Sequence, residues 1–367
     1  MAKSVADNIQ DAILYDHMNI LRLSVHERTK AEKMLLDLRR KIIDQLVRKD
    51  PLRPERTAFQ QMRLESLYKS VDDLIKANFK NFSKKFQETL RGIADYTVQS
   101  TTKIINNAVG IDLAKPNVSI AKIKGVINGA TVDGKIIGKW WDKQAKDFQK
   151  AFKETMNSVT EEFRVSYLKG ESLGSMVDSM STRGALMGLT VAQMSSLIRT
   201  SIVQVSNEIR NEVYQSNKDI LQGIRFVAVL DKKTTLLCQS LDGSMWDNDG
   251  NPLEGTTQPM QLPPLHWNCR STTIPILLDY KNLKKGNPEI SDLGDEKRAA
   301  LYGPVPAKTT YEEWFATLDP KIQKEILGTA RFKLWERGSL SAADMIRKDG
   351  TPLTIKELRR KVEDMGL

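Results

Sequence analysis

Residues 231–238 read Asp-Lys-Lys-Thr-Thr-Leu-Leu-Cys, and residues 264–270 read Pro-Leu-His-Trp-Asn-Cys-Arg. These two segments contain both cysteines of the chain and one of its three histidines. Nowhere else does the sequence concentrate side chains that can bind a metal ion or carry out chemistry. We therefore expect the fold of residues 231–270 to be organised around this cluster, either as an active site or as a structural clasp.

The cluster offers ligands of the kind that zinc prefers, because Cys238 and Cys269 can supply thiolates and His266 an imidazole. The His-x-x-Cys spacing lets one turn present both of its side chains to the same ion. Cys238 has no second cysteine or histidine nearby in sequence, so Asp231 is the nearest candidate for a fourth ligand and Asp242 a weaker one. The predicted metal site, with structural zinc as the expected ion, is Asp231, Cys238, His266 and Cys269.

Three interpretations of the cluster stay open. An ion could close the loop between Cys238 and His266 as a clasp, which would replace a core that so irregular a segment cannot build. Three protein ligands could instead leave a position open for water, as in catalytic zinc sites. Both cysteines could also be buried without any ion. Asp231, for its part, could end a strand as an Asx-turn residue that binds backbone NH groups ahead of Thr234.

The absence of three common catalytic patterns argues against an enzyme. The sequence contains no Gly-x-x-x-x-Gly-Lys-Ser/Thr loop and no Gly-x-Gly-x-x-Gly after a strand. No glutamate flanks His266 and no His-Glu-x-x-His pattern occurs, so a zinc-bound water would lack its usual general base. The other two histidines, His17 and His26, lie in charged helices, and we expect both to be exposed.

The N-terminal part is predicted to be helical. Apolar residues recur at intervals of three and four over residues 7–49 and from about residue 55 to residue 107, which predicts two long helices. A capping box at Ser24-x-x-Glu27 predicts a helix start there. Three phenylalanines at helical spacing are predicted to lie in the core and not to stack on nucleic acid: Phe79, Phe82 and Phe86.

The excess positive charge lies entirely in the first half of the chain. Residues 1–170 contain 31 Lys and Arg against 21 Asp and Glu, whereas residues 171–367 contain 25 of each. This distribution fits a surface that faces a polyanion such as DNA or an acidic partner protein, and it fits equally a solvated basic helical face. No apolar run approaches the roughly 18 residues that span a bilayer, and the N-terminus lacks the apolar region of a secretory signal. We expect no membrane partner and action first in the cytoplasm.

The remaining elements are predicted from turn signals and local composition. A hairpin is expected within residues 128–138, a strand at residues 224–230, and an edge strand at residues 271–277 because it contains Pro275. The two strands are expected to pair or to lie close together, and so to bring Cys238 near His266 and Cys269. Helices are predicted at residues 142–168, from the Thr190-x-x-Gln193 capping box to about residue 217, at residues 321–336, and after capping boxes at Thr310 and Thr354.

Three motifs succeed one another between about residues 140 and 280. They are Ile198-Arg199-Thr200 in a helix, Asp231-x-x-Thr234-x-x-x-Cys238-x-x-Leu241-Asp242-Gly243 after a strand, and Pro263-Pro264-x-His266-x-x-Cys269-Arg270-Ser271. Their order and spacing resemble the phage head morphogenesis domain, which occurs in the Mu F-like minor head proteins of tailed bacteriophages. The helix at Tyr311-Glu-Glu-Trp314 also resembles the segment on the C-terminal side of that domain in the family.

The resemblance implies a structural protein and not an enzyme. Such proteins are present in few copies in the virion, lie in the capsid interior near the portal vertex, and assist procapsid assembly, DNA packaging or ejection. The implied partners are the portal protein, the major capsid or scaffolding protein, and double-stranded DNA bound without sequence specificity; assembly takes place in the host cytoplasm. A zinc-dependent hydrolase or nuclease acting on phage DNA is the alternative.

We therefore predict an α+β fold that is predominantly α. Four segments are expected in order: a basic helical region at residues 1–127, a β-hairpin wing at residues 128–141, a head-morphogenesis domain with the Cys/His cluster at residues 142–285, and a helical tail at residues 286–367.

Overall fold

The fold is α+β and predominantly α, as the sequence predicts. The computed structural model describes residues 5–49, 57–129, 131–132, 135–136, 139, 142–147, 149–150, 185–278, 297–338, 340–347 and 349–365. Within these ranges, no helix combines the length and the apolar character needed to cross a bilayer.

Long helices dominate the first part of the chain. Helix α1 spans Val5–Lys49 and α2 spans Thr57–Val109, which confirms the two predicted helices. A shorter helix, α3, and the two strands of a hairpin come next, and then the long helix α4; their bounds are Ile120–Gly129 for α3, Thr131–Val132 for β1, Lys135–Ile136 for β2 and Ala185–Gln215 for α4. The antiparallel pairing of β1 with β2 confirms the predicted hairpin.

Two predicted helix starts are wrong. Ser24 lies inside α1, and α4 begins at Ala185, before Thr190. The apolar spacing of α1 continues through Ser24, with Ile20 and Leu35 both buried, so packing extends the helix past a sequence that could have capped it. The predicted helix at residues 142–168 is confirmed at residues 142–147 and 149–150, and its remainder lies outside the described residues.

A three-stranded antiparallel sheet forms the centre of the second half. Strands β3 (Leu221–Val227), β4 (Met245–Asp247) and β5 (Thr272–Leu277) are arranged in the order β4-β3-β5. This confirms the predicted pairing of the two strands and the edge position of the strand that contains Pro275. Glycine is required at position 223, where β3 pairs with β4, because a Cβ at this position would lie 2.0 Å from the carbonyl oxygen of Trp246.

In the last part of the chain, short helices and strands pack around an apolar cluster of their own. These are β6 at Lys297–Arg298, β7 at Val305–Pro306, α6 at Tyr311–Ala316, α7 at Pro320–Leu327, α8 at Thr329–Gly338, a 3-10 turn at Ala343–Met345 and α9 at Ile355–Asp364. Capping boxes at Thr310 and Thr354 are confirmed. The single helix predicted over residues 321–336 is wrong, because Gly328 interrupts it with a φ of 75°.

The chain divides into two compact units that do not coincide with the four predicted segments. One unit comprises residues 1–21, 93–126 and 203–367, and we call it the cluster unit; the other comprises residues 22–92 and 127–202, and we call it the helical unit. In the helical unit, the three phenylalanines of α2 are buried as predicted. In the cluster unit, Ile9 and Ile13 of α1 pack against Val227 and Ile274 of the sheet, which fixes the start of α1 beside β5.

Candidate metal centre

A short helix and a turn carry the three side chains of the cluster. Cys238 lies in the one-and-a-half-turn helix α5 (Leu236–Leu241), whose N-cap Thr235 accepts a hydrogen bond from the Cys238 NH. His266 and Cys269 are joined by a turn in which the Cys269 NH donates to the His266 carbonyl oxygen at 3.1 Å. Asn268 adopts a φ of 62° in this turn, a conformation that asparagine tolerates better than most residues. The turn therefore places both side chains on the side that faces α5.

The three side chains meet at hydrogen-bonding distances. The Cys238 Sγ lies 3.2 Å from the His266 Nε2 and 3.7 Å from the Cys269 Sγ, and all three ligand atoms lie within 4.8 Å of one another. A tetrahedral zinc ion with bonds of about 2.0–2.3 Å would hold its ligand atoms roughly 3.3–3.8 Å apart. Both cysteines are buried and His266 is partly buried. These residues, which the sequence predicted to converge, could hold a metal ion.

The three side chains of the cluster shift the pKa values of one another. The hydrogen bond between the two sulfurs raises the pKa of Cys238 and lowers the pKa of Cys269 well below its usual value. Burial alone would lower the pKa of His266, but its hydrogen bond to Cys269 and the charge of that thiolate raise it overall. A metal ion binds the thiolate of cysteine and the neutral ring of histidine, so the lowered pKa of Cys269 favours binding, whereas the raised pKa values of Cys238 and His266 oppose it.

His266 is oriented by its second ring nitrogen. Its Nδ1 lies 2.9 Å from the carbonyl oxygen of Trp267, which can only accept, so Nδ1 carries the proton of the neutral ring. Whenever the ring is neutral, the lone pair of Nε2 therefore faces the sulfur of Cys238. This is the arrangement of metal-binding histidines, which donate the other NH to a carbonyl or carboxylate and so fix the tautomer and the ring orientation.

Asp231, predicted as a fourth ligand, is bonded elsewhere. Both of its oxygens accept from Arg270, Oδ2 at 2.5 Å from Nη1 and Oδ1 at 2.7 Å from Nη2. Oδ1 also accepts from the Lys233 NH and the Thr234 hydroxyl, which confirms the predicted Asx turn, whereas the prediction that Asp231 ends the strand is wrong because β3 ends at Val227. Burial would raise the pKa of Asp231, but the bonds from Arg270 lower it overall. The carboxylate of Asp231 is therefore bound by the guanidinium of the residue that directly follows Cys269.

Asp242, the weaker candidate, is also fully used by the protein. Its carboxylate accepts from the backbone NH groups of Ala228 at 2.6 Å and Tyr311 at 2.7 Å. Arg298 donates to both oxygens, at 3.0 Å and 3.1 Å, and both side chains of this ion pair are buried. The bond to the Ala228 NH also explains why β3 ends at Val227 and not at residue 230, since Asp242 takes the place of a neighbouring strand.

The prediction that His17 is exposed is wrong, whereas the same prediction for His26 is confirmed. His17 is buried, and its Nε2 lies 2.8 Å from the carbonyl oxygen of Arg270. A signal existed in the sequence, because His17 lies four residues after Ile13 and three before Ile20, on the buried stripe of α1. Because charged residues flank His17, this position was predicted to be exposed. One of them, Asp16, forms a buried ion pair with Arg210 at 2.8 Å.

No protein-family model, no curated protein and no solved structure matches the chain. Fold and site therefore define its class: a predominantly helical α+β protein in which a small antiparallel sheet supports a Cys-His-Cys cluster that could hold a metal ion.

Proposed function

We propose that the chain is a minor head protein of a tailed bacteriophage that acts inside the capsid near the portal vertex, with structural zinc at Cys238, His266 and Cys269. The observation that carries this proposal is that the carboxylates of the motifs that resemble the family are bonded within the protein itself. Asp231 is bonded to Arg270, and Asp242 to Arg298 and two backbone NH groups. Both carboxylates therefore stabilise the fold, which is the role expected of such residues in a structural protein.

Zinc has a structural task at this position. The 27 residues between Cys238 and His266 contain only the three-residue strand β4 and the end of α5 as regular elements. A chain of this kind gains little from its own hydrogen bonds, so an ion that joins its two ends supplies stability that the segment lacks. The neighbouring buried Trp246, whose Nε1 donates to the carbonyl oxygen of Gln258 at 2.8 Å, anchors the middle of the same loop.

The basic helical part supports contact with double-stranded DNA. Five exposed cations on α2 are spaced by seven, four, four and seven residues, so they lie on one face of the helix: Lys69, Lys76, Lys80, Lys84 and Arg91. At 1.5 Å per residue they extend over roughly 33 Å, close to the ~34 Å of one DNA turn. We call them the α2 basic stripe. Two exposed carboxylates, Asp73 and Glu88, lie along the same face, so the cations outnumber them and the net charge favours a polyanion.

The zinc-dependent hydrolase or nuclease is a second candidate, favoured by the number of ligands. Three protein ligands are typical of catalytic zinc, which keeps a fourth position for water. A general base would still be needed, and the nearest predicted carboxylate, Asp231, is bonded through both oxygens to Arg270. The zinc-loaded protein should therefore leave double-stranded and single-stranded DNA intact. Cleavage that disappears in Cys238→Ser but persists in a control outside the cluster, such as His26→Gln, would establish the enzyme instead.

The proposed location is tested in the phage that encodes the chain. Procapsids and virions are purified, and their proteins are quantified by mass spectrometry against the major capsid protein. We expect the chain in both particles at a few copies each, and a cryo-EM map of the portal vertex should show its density inside the head. Particles that lack the chain would overturn the proposal, whatever the metal content of the isolated protein.

A further inference from the structure

The two cysteines of the chain lie with their sulfur atoms beside each other. Their Sγ atoms are 3.7 Å apart, although the residues are 31 positions apart in the sequence, and both thiols are free. A disulfide has a bond of about 2.05 Å between its sulfurs, so these atoms would have to approach by roughly 1.7 Å to form one. The fold therefore places Cys238 and Cys269 where a modest movement of the two side chains joins them.

Burial limits the molecules with which the two thiols can react. Both cysteines are buried, whereas His266 beside them is only partly buried. Oxidation of a thiol depends on access to its sulfur, so a small oxidant suits this pair better than a second protein or a bulky disulfide. The chain contains no third cysteine, and each buried sulfur lies next to the other. A disulfide within one chain is therefore the product that this arrangement favours.

We propose that Cys238 and Cys269 form a reversible disulfide with each other, with a small hydroperoxide as the oxidant. One cysteine attacks a peroxide oxygen as the thiolate, so that an S–O bond forms, the O–O bond breaks, and the departing hydroxide takes up a proton as water. The sulfur of the other cysteine then attacks the sulfenic acid, so that the S–S bond forms, the S–O bond breaks and a second water leaves. Two thiols lose two electrons, and one hydrogen peroxide is reduced to two waters.

The disulfide and a metal ion compete for the same two sulfurs. A metal ion binds cysteine as the thiolate, so the loop between Cys238 and Cys269 is closed either by the ion or by the disulfide. The disulfide itself does not require an ion, and only this competition rests on the metal site proposed above. In a reducing cytoplasm the thiols stay available to the ion, whereas a particle released from the cell meets oxidising conditions. The pair thus provides one means of closing the loop for each condition.

Mass spectrometry of the full chain tests the bond directly. The folded protein is treated with hydrogen peroxide, its remaining thiols are alkylated, and it is digested without reductant. We expect the peptides that contain Cys238 and Cys269 to be joined, with a loss of two hydrogen atoms that dithiothreitol reverses. Cys238→Ser and Cys269→Ser should each lack the joined peptides. Thiols that stay free, oxidation that dithiothreitol does not reverse, or joined peptides that form only in urea would overturn the proposal, and none of these results depends on whether a serine variant folds.

The same reaction in the presence of zinc separates this inference from the proposed metal site. At a zinc concentration of about 100 times the dissociation constant, roughly one cluster in 100 lacks the ion, so the disulfide should form about 100-fold more slowly. His266→Gln keeps both thiols and removes a ligand, so zinc should protect this variant less. Equal rates with and without zinc would overturn the metal site and leave the disulfide standing. Wild-type protein that binds zinc and forms no disulfide in its absence would overturn the disulfide alone.

Discussion

Replacing Asp242 by asparagine removes one charge and nearly no volume from the buried ion pair between Asp242 and Arg298. Oδ1 of Asp242 accepts from the Ala228 NH and from Arg298, and Oδ2 accepts from the Tyr311 NH and from Arg298. Whichever oxygen becomes the amide NH2 therefore faces two donors, and no rotation of the amide relieves this. The Arg298 guanidinium meanwhile stays buried without its counter-charge.

The expected loss of stability is a consequence of this geometry. Breaking a buried ion pair by removing one partner costs about 3–5 kcal/mol, because the remaining charge is left in a poorly solvated place. Arg298 keeps hydrogen bonds to the carbonyl oxygens of Ala228 and Thr309, which places the expected value at the lower end, about 3 kcal/mol. Domains are commonly stable by about 5–15 kcal/mol, so the change is large enough to measure by urea unfolding.

Equilibrium unfolding followed by tryptophan fluorescence is a suitable assay, since Trp246 and Trp314 are both buried in the cluster unit. Arg298→Met should partly rescue Asp242→Asn, with a coupling of roughly 0.5–3 kcal/mol in a double-mutant cycle. Glu325→Gln, which removes an exposed partner of Lys232, is the matched control and should leave the urea midpoint unchanged. An Asp242→Asn protein as stable as the control, or strictly additive variants, would refute the reasoning.

Three further predictions concern the metal, the DNA and the pH. Wild-type protein purified without chelator should hold about one zinc per chain, and Cys238→Ser should lose the ion and the stability that a chelator removes from the wild type. The triple variant Lys76→Gln, Lys80→Gln and Lys84→Gln should bind DNA more weakly and reduce the dependence of log affinity on log salt by about 2–3. The pKa of Asp231 is lowered by folding, so its contribution to stability should be complete above about pH 3.9 and disappear as the pH falls through the folded pKa.

Each of these has a control within the chain. For the metal, elemental analysis of His26→Gln should match the wild type, and a wild type without bound zinc would contradict the clasp. For the DNA, three exposed lysines of the C-terminal helices can be replaced instead, and an equal loss of affinity would contradict the α2 basic stripe: Lys321, Lys324 and Lys333. For the pH, the Asp231→Asn variant should lack that part of the acid-induced loss; identical acid profiles would contradict the linkage.

Much of the fold is encoded in local patterns. The apolar periods of α1 and α2, the hairpin signal and the edge proline each act within one element, so the sequence alone predicts them. The meeting of Cys238 with His266 and Cys269 was also predictable, because two adjacent strands deliver the segments that carry them. The helix starts at Ser24 and Thr190 were mispredicted, since a capping signal is worth less than continuous burial along a long helix.

The polar partners could not be predicted, because each is set by tertiary proximity. Asp231 and Arg270 are 39 residues apart, and Asp16 and Arg210 are 194 residues apart. Nothing in the spacing of these residues distinguishes an arginine that will clamp a carboxylate from one that will remain solvated. The same applies to His17, whose place beside Arg270 depends on how α1 packs against the sheet.

The net charge of the proposed metal centre depends on which residue would be its fourth ligand. A divalent ion bound by the Cys238 and Cys269 thiolates and by His266 is neutral, and a neutral centre is the least costly one to bury. Adding Asp231 would make the centre negative and would strip Arg270 of its partner, so the charge of the partly buried Arg270 would be left unbalanced. A neutral fourth ligand would add no charge to such a centre. The ion pair between Asp231 and Arg270 therefore argues against Asp231 as that ligand.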